Sequence, residues 1–240
     1  GETQHLRRIG RFFALAAHPV TVEQFLRFRK SHQMLKKHAP TPDCPVYGVT
    51  WFDAAAYCNW LSKEEDIPKD QWCYETNLAG QVTKLKENYL SLVGYRLPTE
   101  AEMECACRAK SVTRRYYGEQ EELLGKYAWY VKNSEDRGWP VGSLKPNDFG
   151  FFDMHGNVWN WCQERYKPYP QTSRKEAIED REDSVDIGNT DGRVLRGGSF
   201  NNQASDVRSA GRGNLVPTTG FTVFGFRPSR TLVIDNLQRK

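Results

Sequence analysis

Three stretches in the first half of the chain carry a hydroxyl residue, an acidic or amide residue three positions on, and then an apolar run. They are Thr21-Val22-Glu23-Gln24 before Phe25-Leu26-Arg27-Phe28, Thr50-Trp51-Phe52-Asp53 before Ala54-Ala55-Ala56-Tyr57-Cys58, and Thr99-Glu100-Ala101-Glu102 before Met103-Glu104-Cys105-Ala106-Cys107. A hydroxyl at the N-cap and a carboxylate or amide at the third helical position satisfy backbone N–H groups that a helix start otherwise leaves without acceptors, so each stretch predicts a helix start. In the second helix Phe52, Ala55, Ala56, Cys58, Asn59 and Trp60 are the expected buried face. Beyond about residue 110 the pattern changes: Gly and Pro punctuate short aromatic segments such as Tyr127-Ala128-Trp129-Tyr130 and Trp159-Asn160-Trp161. That punctuation predicts short strands and ordered loops around aromatic anchors. Residues 171–192 are polar and predict a long surface loop. The expectation is an α+β fold in a single domain spanning 1–240.

Composition narrows the classes. Of 240 residues 38% are hydrophobic and 27% charged, which allows a sizeable core. The 34 basic and 30 acidic residues leave a net charge of +4 without a basic stripe, so a nucleic-acid partner is not expected. No apolar run approaches the roughly 18 residues of a membrane span. The chain begins at Gly1, and it is expected to be the C-terminal part of a longer protein, fused to or associated with a signalling or effector domain. Cysteines stand at 44, 58, 73, 105, 107 and 162 without zinc-type spacing; buried free thiols in a reducing compartment, the cytoplasm, are the expectation. Cys105 and Cys107, two apart on a helix, point to different faces.

Five strings have a further meaning: Pro45-Val46-Tyr47-Gly48-Val49-Thr50-Trp51-Phe52-Asp53-Ala54, Gly94-Tyr95-Arg96-Leu97-Pro98-Thr99-Glu100-Ala101-Glu102, Gly150-Phe151-Phe152-Asp153-Met154-His155-Gly156-Asn157-Val158-Trp159-Asn160-Trp161, Arg193-Val194-Leu195-Arg196-Gly197-Gly198-Ser199-Phe200 and Gly225-Phe226-Arg227. In this order, across roughly residues 10–231, they resemble the formylglycine-generating-enzyme (sulfatase-modifying factor) family. The resemblance implies a variant of the C-type lectin fold, with two main helices packed on small twisted antiparallel sheets and much ordered loop. The strings also read as scaffold: Gly156 in a tight turn, Trp159 after it as the residue that plugs the core, Gly197-Gly198 for close backbone approach, and arginines 96, 196, 208 and 227 donating to loop carbonyls.

The resemblance also sets a test for catalysis. Active members carry two cysteines five apart after the Arg-Gly-Gly-Ser string and use them to bind copper. Here those positions are Asn202 and Val207, and neither supplies the soft thiolate that Cu(I) requires. Relatives with a histidine-built iron site find no counterpart among His5, His18, His32, His38 and His155, and His155 is expected to be a surface or loop-packing residue. Calcium is often bound near the turn that corresponds to Gly156-Asn157-Val158, but Asn160 stands where an acidic ligand is usual, and no metal or cofactor is assigned. No catalytic residue is assigned either.

The segment 199–227 resembles the variable region of proteins diversified by diversity-generating retroelements. It is the candidate ligand-binding segment, with Phe200, Asn202, Asp206, Gly211, Gly213, Asn214, Leu215, Val216, Thr219, Phe221, Thr222, Val223 and Phe224 as contact residues. Leu215, Val216, Phe221, Val223 and Phe224 among Gly and Thr have the composition of a binding patch, or of core under a loop. Phe221 and Phe224 are expected to be at least partly exposed. The function expected is non-catalytic recognition of a protein or peptide ligand; the alternative is a divergent metal-dependent oxidase or oxygenase.

Overall fold

The computed structural model describes residues 3–169, 176–181 and 185–233. In chain order its elements are β1 (Leu6–Arg8), β2 (Phe12–Leu15), α1 (Val22–Phe28), α2 (Trp51–Glu64), β3 (Tyr74–Thr76), β4 (Val82–Leu85), β5 (Tyr95–Arg96), α3 (Glu100–Arg108), β6 (Trp159–Arg165), β7 (Ala177–Glu179), β8 (Arg193–Arg196), β9 (Arg212–Leu215), β10 (Phe224–Gly225) and β11 (Ser229–Leu232), with 3-10 turns at Lys69–Gln71 and Glu121–Lys126. Thr21, Thr50 and Thr99 each close a reciprocal capping box, with Gln24, Asp53 and Glu102 reaching back to the cap nitrogen. All three helices therefore start where the sequence pattern puts them.

The sheets are small. One runs β10-β6-β8-β9, a second β2-β11-β5, and β1-β7 and β3-β4 are two-stranded. The β1–β7 and β10–β6 pairs are parallel, which corrects the expectation of antiparallel sheets throughout. Parallel pairing is available because the partners are far apart in sequence and no hairpin turn dictates their direction.

The main core lies between α1, α2 and these sheets. On α2 the buried side chains are Trp51, Ala54, Ala55, Tyr57, Cys58, Asn59 and Ser62, whereas Phe52, Ala56 and Trp60 are only partly covered. The expected face is thus rotated toward Trp51, because the helix is wedged between sheet and loop. Two tryptophans cross-brace it: Trp51 Nε1 donates to Cys162 O at 2.9 Å and Trp161 Nε1 to Val49 O at 3.0 Å. The residue that plugs the core after the Gly156 turn is therefore Trp161, while Trp159 stays half-buried. A second cluster, with Met103, Cys107, Met154, Cys162 and Val194, lies under α3, and a third gathers Leu124, Ala128, Tyr130, Ala204 and Val207.

Strand alternation divides the β2-β11-β5 sheet into two unlike faces. Leu15, Ser229 and Arg96 are cross-strand partners, and so are Ala14, Arg230 and Tyr95 one position along. Successive residues of a strand point to opposite faces, so the first row looks toward α3 and the second toward α1 and α2. In the first row Arg96 and Glu102, both 0% exposed, pair through two 2.7 Å hydrogen bonds. Arg11 adds 2.6 Å contacts to Glu102 and Asp180. Burial alone would raise the Glu102 carboxyl, but the Arg96 guanidinium overrides it and holds the pKa below the usual carboxylate value.

Asp180 also corrects the reading of 171–192 as a surface loop. Ala177–Glu179 form β7, Asp180 is buried in the ion cluster, and Val185 and Ile187 pack against the main core. Composition misled because β7 is a charged edge pair with β1. Residues 170–175 and 182–184, most of them within that predicted loop, lie outside the described residues. Of the cysteines, five are buried as expected of free thiols and Cys105 is exposed. Among the described residues no helix is long and apolar enough to cross a membrane.

Three outcomes test this framework. Replacing Glu102 by Ala leaves the fully buried Arg96 guanidinium without its carboxylate and is expected to cost about 3–5 kcal/mol in urea unfolding. The Glu102 carboxyl titrates lower in the folded than in the unfolded chain, so its stabilisation is complete above the ordinary carboxylate pKa and lost as pH falls through the depressed one; acid unfolding of the Glu102→Gln variant should show a shallower loss there than the parent. At Gly156, with φ of +73°, an added Cβ would overlap the Trp129 carbonyl oxygen, and Gly156→Ala is expected to lower stability by at least about 2 kcal/mol in the same assay.

Candidate functional site

The Arg196-Gly197-Gly198-Ser199 string leaves β8 and turns back under the loops. Gly197 and Gly198 have φ of +97° and +76°, and a Cβ on Gly197 would sit 3.0 Å from Met154 O, so the close approach expected there is real. Arg196 donates to the carbonyls of Ser209, Ala210 and Gly211 at 3.0, 2.9 and 2.8 Å and pairs with Glu104. Arg115, which the sequence reading passed over, donates to Ala204 O at 2.8 Å and Val207 O at 3.1 Å. Arg208 behaves differently: it is half-exposed and its Nε donates to Ser205 O at 2.8 Å. The whole 199–211 turn is thus pinned by guanidinium groups.

Asn202 and Val207 have structural duties within that turn. The Asn202 carboxamide oxygen accepts from Ser199 N at 2.9 Å and Ser199 Oγ at 2.7 Å, and its backbone carbonyl accepts from Val131 N at 3.1 Å. Val207 is 0% exposed in the Leu124 cluster. A carboxamide, whose oxygen already accepts two hydrogen bonds, and a buried isopropyl group supply no soft thiolate and do not fit copper.

The calcium-like place is also spoken for. The carbonyls of Ala16, Ala17, Phe152 and Asp153 and the Asn160 carboxamide oxygen converge on the guanidinium of Arg227 at 3.0–3.3 Å. Burial draws the pKa of Arg227 down to about 10, which still leaves it charged at neutral pH. Asn157 Oδ1 accepts from Trp139 N, and its Nδ2 donates to Trp139 O and Asp153 Oδ1. These oxygens already surround a cation supplied by the chain itself, so the residues do not fit a calcium ion. Among the described residues no group of three or more His, Cys, Asp or Glu side chains could hold a metal.

His155 packs in the interior, which corrects the surface option and keeps the loop-packing one. Its ring stacks on Tyr116 at 4.6 Å and 12°, and Nε2 lies 3.4 Å from Cys107 Sγ and 3.3 Å from Ser209 Oγ. Burial, with Arg115, Arg108 and Arg196 nearby, pulls His155 down to about 3, while burial pushes the Cys107 thiol up to about 11. Both groups are neutral at physiological pH, the reverse of the thiolate–imidazolium pair that nucleophilic catalysis needs.

The candidate contact residues fall into two neighbourhoods. Asn202 and exposed Asp206 belong to the turn beside Val131 and Arg114–Arg115. Asn214 and Phe221 are exposed, and Gly213, Leu215, Val216, Thr219, Thr222 and Val223 half-buried, on β9 and the following loop. Phe200, Gly211 and Phe224 are buried, which corrects their assignment as contact residues. Phe224 is in the core because β10 pairs with β6 and turns its ring onto Trp161 at 5.5 Å.

The 216–224 loop is held by backbone bonds from Gly48 N to Phe221 O, Trp51 N to Pro217 O and Trp159 N to Val223 O. Phe221 is 56% exposed, and its ring lies 5.7 Å from that of Phe224. An exposed ring is thereby braced through Phe224 on a fully buried tryptophan.

Two further groups flank the segment without having been singled out. Arg212 is bidentate to Glu100 at 2.6 and 2.8 Å and sandwiched between Tyr169 and Tyr166 at 3.8 and 4.5 Å, which anchors the start of β9. Trp129 and Trp139 stack at 4.4 Å with Arg137 over Trp139 at 3.8 Å, while half-buried His38 stacks on Phe200. The aromatic density of 127–139 was the signal in the sequence, but the pairing spans ten residues with no periodicity to reveal it.

Known proteins share this architecture. The chain is 26% identical over 92% of its length to serine/threonine-protein kinase pkn1 of Chlamydia pneumoniae, of which it spans 33%. It is 30% identical over 78% of its length to the formylglycine-generating enzyme of Streptomyces coelicolor, of which it spans 52%. The chain thus covers a third to a half of these curated relatives. Among solved structures, Treponema denticola variable protein 1 superposes with a TM-score of 0.80 at 26% identity, covering 94% of this chain and 86% of the other. The fold is the C-type lectin-like fold of the formylglycine-generating-enzyme type. The family model described as the sulfatase-modifying factor enzyme 1-like domain matches residues 2–232, and with the five strings in their expected order this chain belongs to that family.

Proposed function

We propose that this domain recognises a protein or peptide ligand through its C-terminal surface and catalyses no reaction. The observation that carries the proposal is the Phe221 ring, exposed yet braced by Phe224 and Trp161 on a loop tied to Gly48, Trp51 and Trp159. A rigid aromatic anchor loses little entropy when a partner covers it, and small neighbours such as Gly213, Thr219 and Thr222 let the partner approach. Asn214, Leu215, Val216 and Val223 complete the patch; Asn202 and Asp206 form its second part. Likeness to a protein named as variable supports a segment at 199–227 whose exposed residues differ between copies while the arginine frame persists. Likeness to pkn1 supports a parent protein in which a signalling or effector domain accompanies this one, and the free buried thiols suit the reducing cytoplasm.

The competing oxidase reading rests on family membership, and fold alone does not fix chemistry. Incubation with Cu(I), oxygen and a cysteine-containing sulfatase-type peptide decides it. We expect no aldehyde by mass spectrometry, and its formation would replace the recognition reading.

For recognition itself, peptides selected against the parent domain from a displayed library should lose at least about tenfold affinity for Phe221→Ala. The same change, on an exposed ring, should cost no more than about 1 kcal/mol of stability. Equal affinity of parent and variant would remove Phe221 as an anchor. In the encoding genome, a reverse transcriptase beside a near-copy of the 199–227 coding segment that differs at adenines is the expected mark of diversification.

A further inference from the structure

The second face of the β2-β11-β5 sheet leaves a cavity. Ala14 and Ala16, two apart on and just after β2, point to the same side, and their small side chains fail to fill the space below α1 and α2. The resulting cavity has a volume of about 360 Å³ and is walled by Ala14, Ala16, Val20, Leu61, Tyr57 and Arg230. That size is within the range of small-molecule sites, roughly 300–1,000 Å³. None of its lining residues belongs to the 199–227 segment, so the site is separate from the recognition surface.

Polar groups converge on this apolar space. Tyr57 is 4% exposed, with its ring stacked or edged against Phe25, Phe28, Trp60 and Phe226. Its hydroxyl makes no hydrogen bond to another of the described residues and is not among the sealed-off buried polar atoms, so it keeps access to the cavity. Burial pushes the phenol up, so it remains a protonated donor across the physiological range. Gln24, also at the cavity, spends its carboxamide oxygen on Thr21 N at 2.9 Å in the capping box, which leaves the NH₂ side of the amide as a donor. Arg230 lies over the Tyr95 ring at 5.1 Å with one contact to Glu65 at 3.4 Å, so further N–H groups remain to it. A hydroxyl that opens onto the cavity can exchange water for an acceptor on a bound molecule.

We propose that this cavity binds a small molecule with an apolar body and a carbonyl or carboxylate oxygen, the oxygen accepting from Tyr57 and Gln24 and the body resting on Ala14, Ala16 and Leu61. The inference stands whether or not the C-terminal face recognises a ligand. The ordering of donors matters chemically. Gln24 presents only its N–H donors to the cavity, while the Tyr57 hydroxyl can donate or accept, so a ligand oxygen pairs with both and a ligand that offers only donors leaves the Gln24 amide without a partner and binds less well.

Ligand-observed NMR with the intact chain tests it, using indole-3-acetate, indole-3-acetamide and oxygen-free 3-ethylindole as probes. We expect one or both oxygen-bearing probes to bind with Kd on the order of 0.1–1 mM. Tyr57→Phe, which removes one oxygen atom, should weaken them about three- to tenfold. Ala14→Leu, which fills the cavity, should abolish binding, and Ala16→Val, a smaller change, stands in if thermal unfolding shows the leucine variant misfolded. Binding of either oxygen-bearing probe with both mutational effects supports the site. No binding of either below about 10 mM, equal binding by 3-ethylindole, or binding untouched by Tyr57→Phe and the filling variant overturns it.

Discussion

In a fold with so little regular structure, interior carbonyl groups need donors that no sheet ladder or helix supplies, because a buried acceptor left unpaired is costly. Here guanidinium groups fill that need. Arg96, Arg115, Arg193 and Arg227 are all at most 1% exposed and Arg196 is 2% exposed; Arg115, Arg193, Arg196 and Arg227 reach backbone oxygens of other segments, and Arg96 holds the neighbouring Leu97 carbonyl together with Glu102 and Thr231. The planar fork with five donors suits this task, since one side chain can bridge several loops. Buried cations demand counter-charge, and Glu102 and Glu104 on α3 provide it. Helix α3 is therefore as much an electrostatic element as a hydrophobic one, and its capping box places Glu102 at the point where cap, sheet and ion pair meet.

This frame explains how the chain keeps a catalytic family's architecture with other contents. Arg196 and Arg115 hold the 199–211 turn, Asn202 ties it to Val131, and Val207 seals it from below. Thiolates at these two positions would be ligands; a carboxamide and an isopropyl group make the turn self-sufficient. Similarly, the oxygens around Arg227 are satisfied by a guanidinium. The loops do not depend on an added ion for their shape, and a loop of fixed shape can carry changed outward residues such as Asn214 and Phe221 without losing its anchor points.

Sheet alternation has a parallel consequence elsewhere in the fold. One row of β2-β11-β5 packs an ion pair against α3; the next row, one residue along, presents Ala14, Arg230 and Tyr95 to α1 and α2. Ala14 in the second row, with Ala16 just beyond it, leaves a recess, whereas on the first face the Arg96–Glu102 pair occupies the corresponding space. The same three short strands thus make a tightly paired interior on one face and a recess on the other.

Much of this was legible in the residues themselves. The three helix starts follow from local chemistry, because a cap is satisfied within four residues and needs no distant partner. The turn glycines 156, 197 and 198 and the lack of copper thiolates at Asn202 and Val207 follow from residue type alone. Tertiary structure decided what depends on distant partners. It made Phe224 a core residue through β10–β6 pairing and left Phe221 outside; it drew Ala177–Glu179 into a strand and Asp180 into an ion cluster; it chose Trp161 over Trp159 as the plug and buried His155 against Tyr116. The reason is common to all four: strand pairs and packed rings here join residues tens to hundreds of positions apart, and no local spacing encodes which of two adjacent aromatics will face inward.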